Sequence, residues 1–181
     1  PSPTESPLAA IFVHGWNMKE LEAVNFAETM FKRLWQAGFT GRFAAFRWPT
    51  HTFTEPTIMD SFNVSEHRAF EYGASLKAFA ETLPSAYSRN FIGHSMGGVV
   101  IASALRQGLT ARNVLMMQAA ISAGAFDARS TLNWGPLVAG EASAAPGFRT
   151  PDVFVSDRGY RGLMGEKTAT VFNYFNQDDY A

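Results

Sequence analysis

Gly93-His94-Ser95-Met96-Gly97 sets a serine between two glycines, just after the apolar pair Phe91-Ile92 and just before the small residues Gly97, Gly98, Val99, Val100 and Ala102. A strand that passes into a helix with so little spacer must turn sharply. Any side chain at either glycine would strike the neighbouring strand or helix, and the serine hydroxyl is left standing above the strand's end. Such a turn requires a sheet beneath it. The pattern predicts a short strand over Arg89–Gly93 and a helix over Met96–Arg106.

The rest of the chain supplies that sheet. Leu8–Val13 is a continuous apolar run, the signature of a strand covered on both faces, and it ends at His14-Gly15-Trp16. From Lys19 to Ala37 the apolar residues fall at helical spacing, with Phe26, Met30 and Leu34 in one row and Ala27, Phe31 and Trp35 beside it. Gly38 stands where such a helix should stop. Phe43–Trp48 reads as a second strand closed by Pro49, and His51–Met59 as a loop at its carboxyl end. Asn63 with Glu66 resembles a capping box, and Ala69, Tyr72, Leu76, Phe79, Ala80 and Leu83 then mark a helix ended by Pro84. Asn113–Ala120 is a further apolar strand. Thr168–Phe175 alternates like another, with Asn176-Gln177-Asp178-Asp179 turning out of it.

Strands alternating with helices predict an α/β chain with a doubly wound, mostly parallel sheet. Residues 8–181 read as one domain. Residues 1–7 are rich in Pro and Ser and read as a linker-like tail ahead of which further chain is expected. Gly124–Lys167 has weak periodicity and many Gly, Pro and Ser residues, and residues 135–167 within it are expected to form a flap over the site.

Composition closes several routes. A net charge of −1 gives no basic footprint for nucleic acid, and no apolar run reaches the ~18 residues of a membrane span. With no cysteine there are no disulfides, thiolate metal sites or cysteine nucleophile. No His or carboxylate cluster has metal-ligand spacing, and neither the phosphate-loop nor the dinucleotide motif is present, so no metal or cofactor is expected.

A serine presented by such a turn points to nucleophilic chemistry. Ser95 is the candidate nucleophile, with Gly93, His94 and Gly97 forming the turn that presents it. A tetrahedral oxyanion needs backbone N–H donors, each worth ~3 kcal/mol of transition-state stabilisation. The amides of Met96 and Trp16 are the candidates. His14 and His94 read as packing residues, His14 bracing its loop, and His67 as a solvated residue near a helix start.

His-Gly at the end of the first strand, Gly-His-Ser-Met-Gly-Gly in the middle and Asn-x-x-Asp after a late strand together resemble the α/β-hydrolase superfamily, in its lipase and esterase branch. The resemblance implies a serine, acid, histidine triad in that chain order. Ser95 matches the nucleophile. Asp179 matches the acid, standing three residues past the Asn that closes the last strand, with Asp178 as the alternative. The family's histidine follows one more strand. Here no histidine follows Ser95, the four being His14, His51, His67 and His94, and the chain ends at Ala181. The expectation is a chain cut short of its last strand and histidine, with a Ser95–His51 dyad as the alternative. The expected function is a serine hydrolase cleaving a small-molecule ester or lipid through an acyl-enzyme on Ser95. A second reading is a catalytically impaired module of the same fold that binds an apolar ligand or a partner. The last strand, with Val171, Phe172, Tyr174 and Phe175, is expected to expose an edge through which the chain self-associates.

Overall fold

Strand alternation decides which side chains meet on each face of the sheet. In the computed structural model, which describes residues 5–50, 58–127, 129, 160, 162–164 and 169–176, five strands lie in the order β2-β1-β3-β4-β5. They are β1 (Leu8–Val13), β2 (Arg42–Phe46), β3 (Ser88–His94), β4 (Asn113–Met117) and β5 (Thr170–Tyr174), and every pairing is parallel. Three helices connect the first four: α1 (Glu20–Gln36), α2 (Ile58–Glu81) and α3 (Gly97–Arg106). A 3-10 turn over Ala123–Phe126 follows β4.

The register sorts the core into two layers. Ile11, Phe91 and Val114 stand side by side and pack with Ala69, Phe70, Leu76 and Ala80 of α2 and Val99, Val100 and Ile101 of α3. Their neighbours Phe12, Ile92 and Leu115 point the other way, to Phe26, Ala27, Met30 and Leu34 of α1. This is the doubly wound arrangement that the sequence predicts. Each large side chain buried here contributes roughly 1.5–3 kcal/mol, and the layer under α2 and α3 holds most of them. The two helices lie close because Gly73 has no side chain: a Cβ there would come within 2.7 Å of Ser103 Cβ. The Ser103 hydroxyl donates to Phe70 O at 2.6 Å.

The boundaries shift in physically interpretable ways. α2 begins at Ile58, so Asn63 is not its cap and Glu66 lies inside the helix. The Asn-x-x-Glu spacing is met without its function, because Glu66 is buried and accepts a 2.6 Å hydrogen bond from Tyr160 Oη. β4 stops at Met117 and not at Ala120, because Gln118 takes a left-handed φ of 45°. Gly38, at φ 88°, ends α1 as its place in the sequence implies. Of the segment 135–167, the described residues Tyr160, Leu163 and Met164 are buried against the α2–α3 layer. Gly162 N and Met164 N donate to Gly124 O and Ala125 O. The rest of that segment lies outside the described residues, as do His51, Asp178 and Asp179. No described helix is long and apolar enough to cross a membrane.

Candidate active site

Ser95 follows β3 directly, with a φ of 50°. A left-handed conformation in a residue with a Cβ costs of order 1–2 kcal/mol and persists only where the surroundings enforce it. Here they do. Ser95 N donates to Met117 O of β4 at 3.1 Å, and α3 closes the turn from the other side through Gly98 N to Ser95 O at 3.0 Å.

Glycines let three pieces of backbone converge on that serine. A Cβ on Gly97 would collide with the carbonyl oxygens of Val13 and His14, so α3 starts flush against the end of β1. A Cβ on Gly93 would lie 3.0 Å from Gly98 Cα. A Cβ on Gly15 would lie 2.9 Å from Ser95 Cβ and 3.1 Å from His94 Nδ1. The loop after β1 therefore runs directly against Ser95, with Trp16 next in line. Met96 is fully buried at the head of α3, and an amide in that position has no carbonyl four residues back to bond. The positive end of the helix dipole also lies there. The structure thus brings Gly93, His94, Ser95, Met96 and Gly97 together with Gly15 and Trp16. Asp179 lies outside the described residues.

The loop after β1 is held by its own ring. His14 is buried and stacks on Trp48, with ring centroids 5.8 Å apart and planes 16° apart. Its Nδ1 lies 2.9 Å from Gly15 O, its Nε2 accepts from Trp48 N at 3.3 Å, and Trp48 Nε1 donates to His14 O at 2.9 Å. That network suits the neutral tautomer protonated at Nδ1. Burial holds the His14 imidazole below its ordinary value, partly opposed by the bond to Gly15 and reinforced by Arg47. With both ring nitrogens engaged, His14 braces the loop and is not placed to accept a proton from Ser95. His94 is also held low by burial, its ring 4.9 Å edge-on to Phe26. His67 lies partly buried on α2, 3.6 Å from Glu71.

Backbone strain adds a signal that composition and periodicity do not carry. The non-glycine residues at positive φ among those described are Asn17, Ser95 and Gln118. They follow β1, β3 and β4, so all three stand at the carboxyl edge of the sheet. Ligands of open parallel sheets bind along this edge.

A family model described as the alpha/beta hydrolase family matches residues 10–179. The chain belongs to the alpha/beta hydrolase family. Membership supports a hydrolase and agrees with the parallel sheet and the strained serine after β3. Among solved structures, an iodinated complex of acetyl xylan esterase is 13% identical, with 97% of this chain and 89% of that one covered at a TM-score of 0.45. An acetylxylan esterase structure is 14% identical, with 93% and 83% covered at a TM-score of 0.46. Likenesses this distant carry no argument about the substrate of this alpha/beta hydrolase. No curated protein matches the chain.

Proposed function

We propose that this chain is a serine acyl hydrolase that cleaves carboxylic esters through an acyl-enzyme on Ser95. The observation that carries the reading is the conformation of Ser95: left-handed, between β3 and α3, with the Gly15 backbone against it. Ser95 Oγ would attack the ester carbonyl as its proton passes to a base. The N–H groups of Met96 and Trp16 would hold the oxyanion. Collapse of the tetrahedral intermediate would break the C–O bond, release the alcohol and leave the acyl group on Ser95, and water would then hydrolyse it. The base is the histidine that the family resemblance places after the acid, and Asp179 would orient it.

A fluorophosphonate probe tests the reading directly, because it reacts only with an activated serine. With the base supplied by the complete protein, labelling followed by peptide mass spectrometry should place the modification on Ser95 alone. Modification at another serine, or none at Ser95 while esters are being cleaved, overturns the assignment.

One observation favours a second reading, a catalytically impaired module that binds an apolar ligand. A groove of about 480 Å³ opens beside the carboxyl ends of β4 and β5, lined by Leu115, Met117, Gln118, Tyr174, Phe175 and Asn176. Under that reading Ser95→Ala would leave the binding of a fatty acyl probe unchanged, and no ester would be turned over.

A further inference from the structure

The opposite end of the same sheet carries a second concentration of chemistry that ester cleavage does not use. Arg42 on β2 and Arg89 on β3 both stand in register with Ala9 of β1, and Arg112 N donates to Arg89 O at 2.8 Å. Three arginines therefore form a row across the amino edge, next to one another in space except where Ala9 intervenes. Neighbouring strands lie ~4.8 Å apart, and like charges at such positions repel. Among the described residues only the first is neutralised: Arg42 Nε donates to Glu5 Oε1 at 2.8 Å and its guanidinium lies 4.9 Å from the centre of the Tyr87 ring.

Among the described residues Arg89 and Arg112 have no such carboxylate. A guanidinium offers five N–H donors. Arg89 uses one, to Leu83 O at 3.0 Å just beyond α2, and its Nε is buried with no hydrogen-bond partner. The Arg112 side chain makes no hydrogen bond or ion pair among the described residues. Both arginines line a cavity of about 310 Å³ together with Ser85, Tyr87, Ser88 and Thr110. Among the described residues no acidic side chain lines it. Glu5, beside the first arginine, accepts from Arg42 and from Tyr87 Oη at 2.8 Å.

We infer that this cavity binds a phosphate or sulfate group. Two guanidinium groups with spare donors supply charge-assisted hydrogen bonds, which are shorter and stronger than neutral ones and suit a tetrahedral oxyanion. The hydroxyls of Ser85, Ser88 and Thr110 add donors that can rotate to reach it. The anion would relieve the repulsion between Arg89 and Arg112. The cavity has room beyond a bare ion for a small organic group, so a phosphomonoester of a small alcohol would fit.

Calorimetric titration at constant ionic strength tests this with inorganic phosphate, glycerol 3-phosphate and, as controls, chloride and acetate. Phosphate should bind with a stoichiometry of one, and the amide signals of residues 85–89 and 110–112 should shift in parallel. Tighter binding of glycerol 3-phosphate would assign a small organic phosphate, and equal binding a free ion. Arg112→Gln should weaken binding by about tenfold or more, and Thr110→Val by a smaller factor. Ser95→Ala should bind as the parent does, which separates this site from ester cleavage. Heats equal to those of chloride or acetate, or shifts confined to Ser95 and Met96, would overturn the inference. So would unchanged affinity in Arg112→Gln or, if that variant does not fold, in Thr110→Val together with Ser88→Ala.

Discussion

The two ends of the sheet are made by the same strands and use opposite means. At the carboxyl edge the backbone itself is the device. Asn17, Ser95 and Gln118 are left-handed, and Gly15 and Gly97 let loop, strand and helix touch without side chains between them. At the amino edge the backbone is regular and long polar side chains do the binding: Asn90 Nδ2 donates to Ala9 O, Asn113 Nδ2 to Asn90 Oδ1, and Arg89 to Leu83 O. A strained edge is stiff and tolerates few substitutions, whereas an edge built from side chains can lose one and keep its fold. The difference follows from what each end must present. On the function and the anion site proposed above, a nucleophile and backbone donors have to be fixed to within a fraction of an ångström, but a charged group can be met by flexible arms.

The largest effect expected from that comparison is chemical. Where the complete protein supplies the base, Ser95→Ala should lower ester turnover by on the order of 10⁴- to 10⁶-fold, as loss of a nucleophile does in serine hydrolases. A steady-state assay with a chromogenic ester reads it, and a variant that keeps a tenth of the parent rate would move the chemistry away from this edge.

The next effect separates crowding from conformation. Gly97→Ala drives a methyl group into the carbonyls of Val13 and His14, which belong to backbone and cannot swing aside. It should cost about 3 kcal/mol or more in urea unfolding. Gly38→Ala, at φ 88° with nothing within 4 Å of the new atom, should cost only about 1 kcal/mol. Equal losses at the two sites would mean that backbone contact does not set the stiffness of the carboxyl edge.

A third and smaller effect is on pH dependence. His14 and His94 are both held below the ordinary value of 6.5 by burial. As pH falls through that value, the unfolded chain takes up protons before the folded one does. The stability these rings support is therefore complete above about pH 6.5 and is lost progressively below it. The urea midpoint should fall between about pH 7.5 and 5.5, and His14→Gln should flatten that dependence. A midpoint that rose on acidification would contradict the sign.

Exposed ion pairs set the lower end of the scale. Lys32 and Glu28 lie one helical turn apart at 3.7 Å, with both side chains more than half exposed. Glu28→Ala should shift stability by less than about 0.5 kcal/mol. A larger loss would show that α1 depends on its surface more than on Phe26, Ala27 and Met30.

Much of the carboxyl edge is legible in the sequence because its demands are local. Gly93 and Gly97 flank the serine by two residues, the strand before it is apolar, and the helix after it is made of small residues, so the turn is written in one short segment. His14-Gly15-Trp16 could be placed at a strand end, but not seen to lie against Ser95. That contact depends on β1 pairing with β3, a partner far along the chain. The Asn63–Glu66 spacing misled for the complementary reason. A capping pattern is a local signal, and tertiary packing overrode it by burying Glu66 beneath Tyr160 within a longer helix. Gln118 carries no mark of its left-handed backbone, and Asn17 only a weak one, since Asn takes that conformation more readily than other residues with a side chain.

The sequence by itself determined the order of strands and helices, the position of the sharp turn, the serine it presents and the parallel character of the sheet. These are properties of hydrophobic period and of where glycine stands, and both are read along the chain. Only the tertiary structure decided that β1 lies between β2 and β3, that Gly15 touches Ser95, and that Arg42, Arg89 and Arg112 share one row. Those facts depend on register between segments distant in the chain, and a register is set by the whole set of buried faces meeting at once.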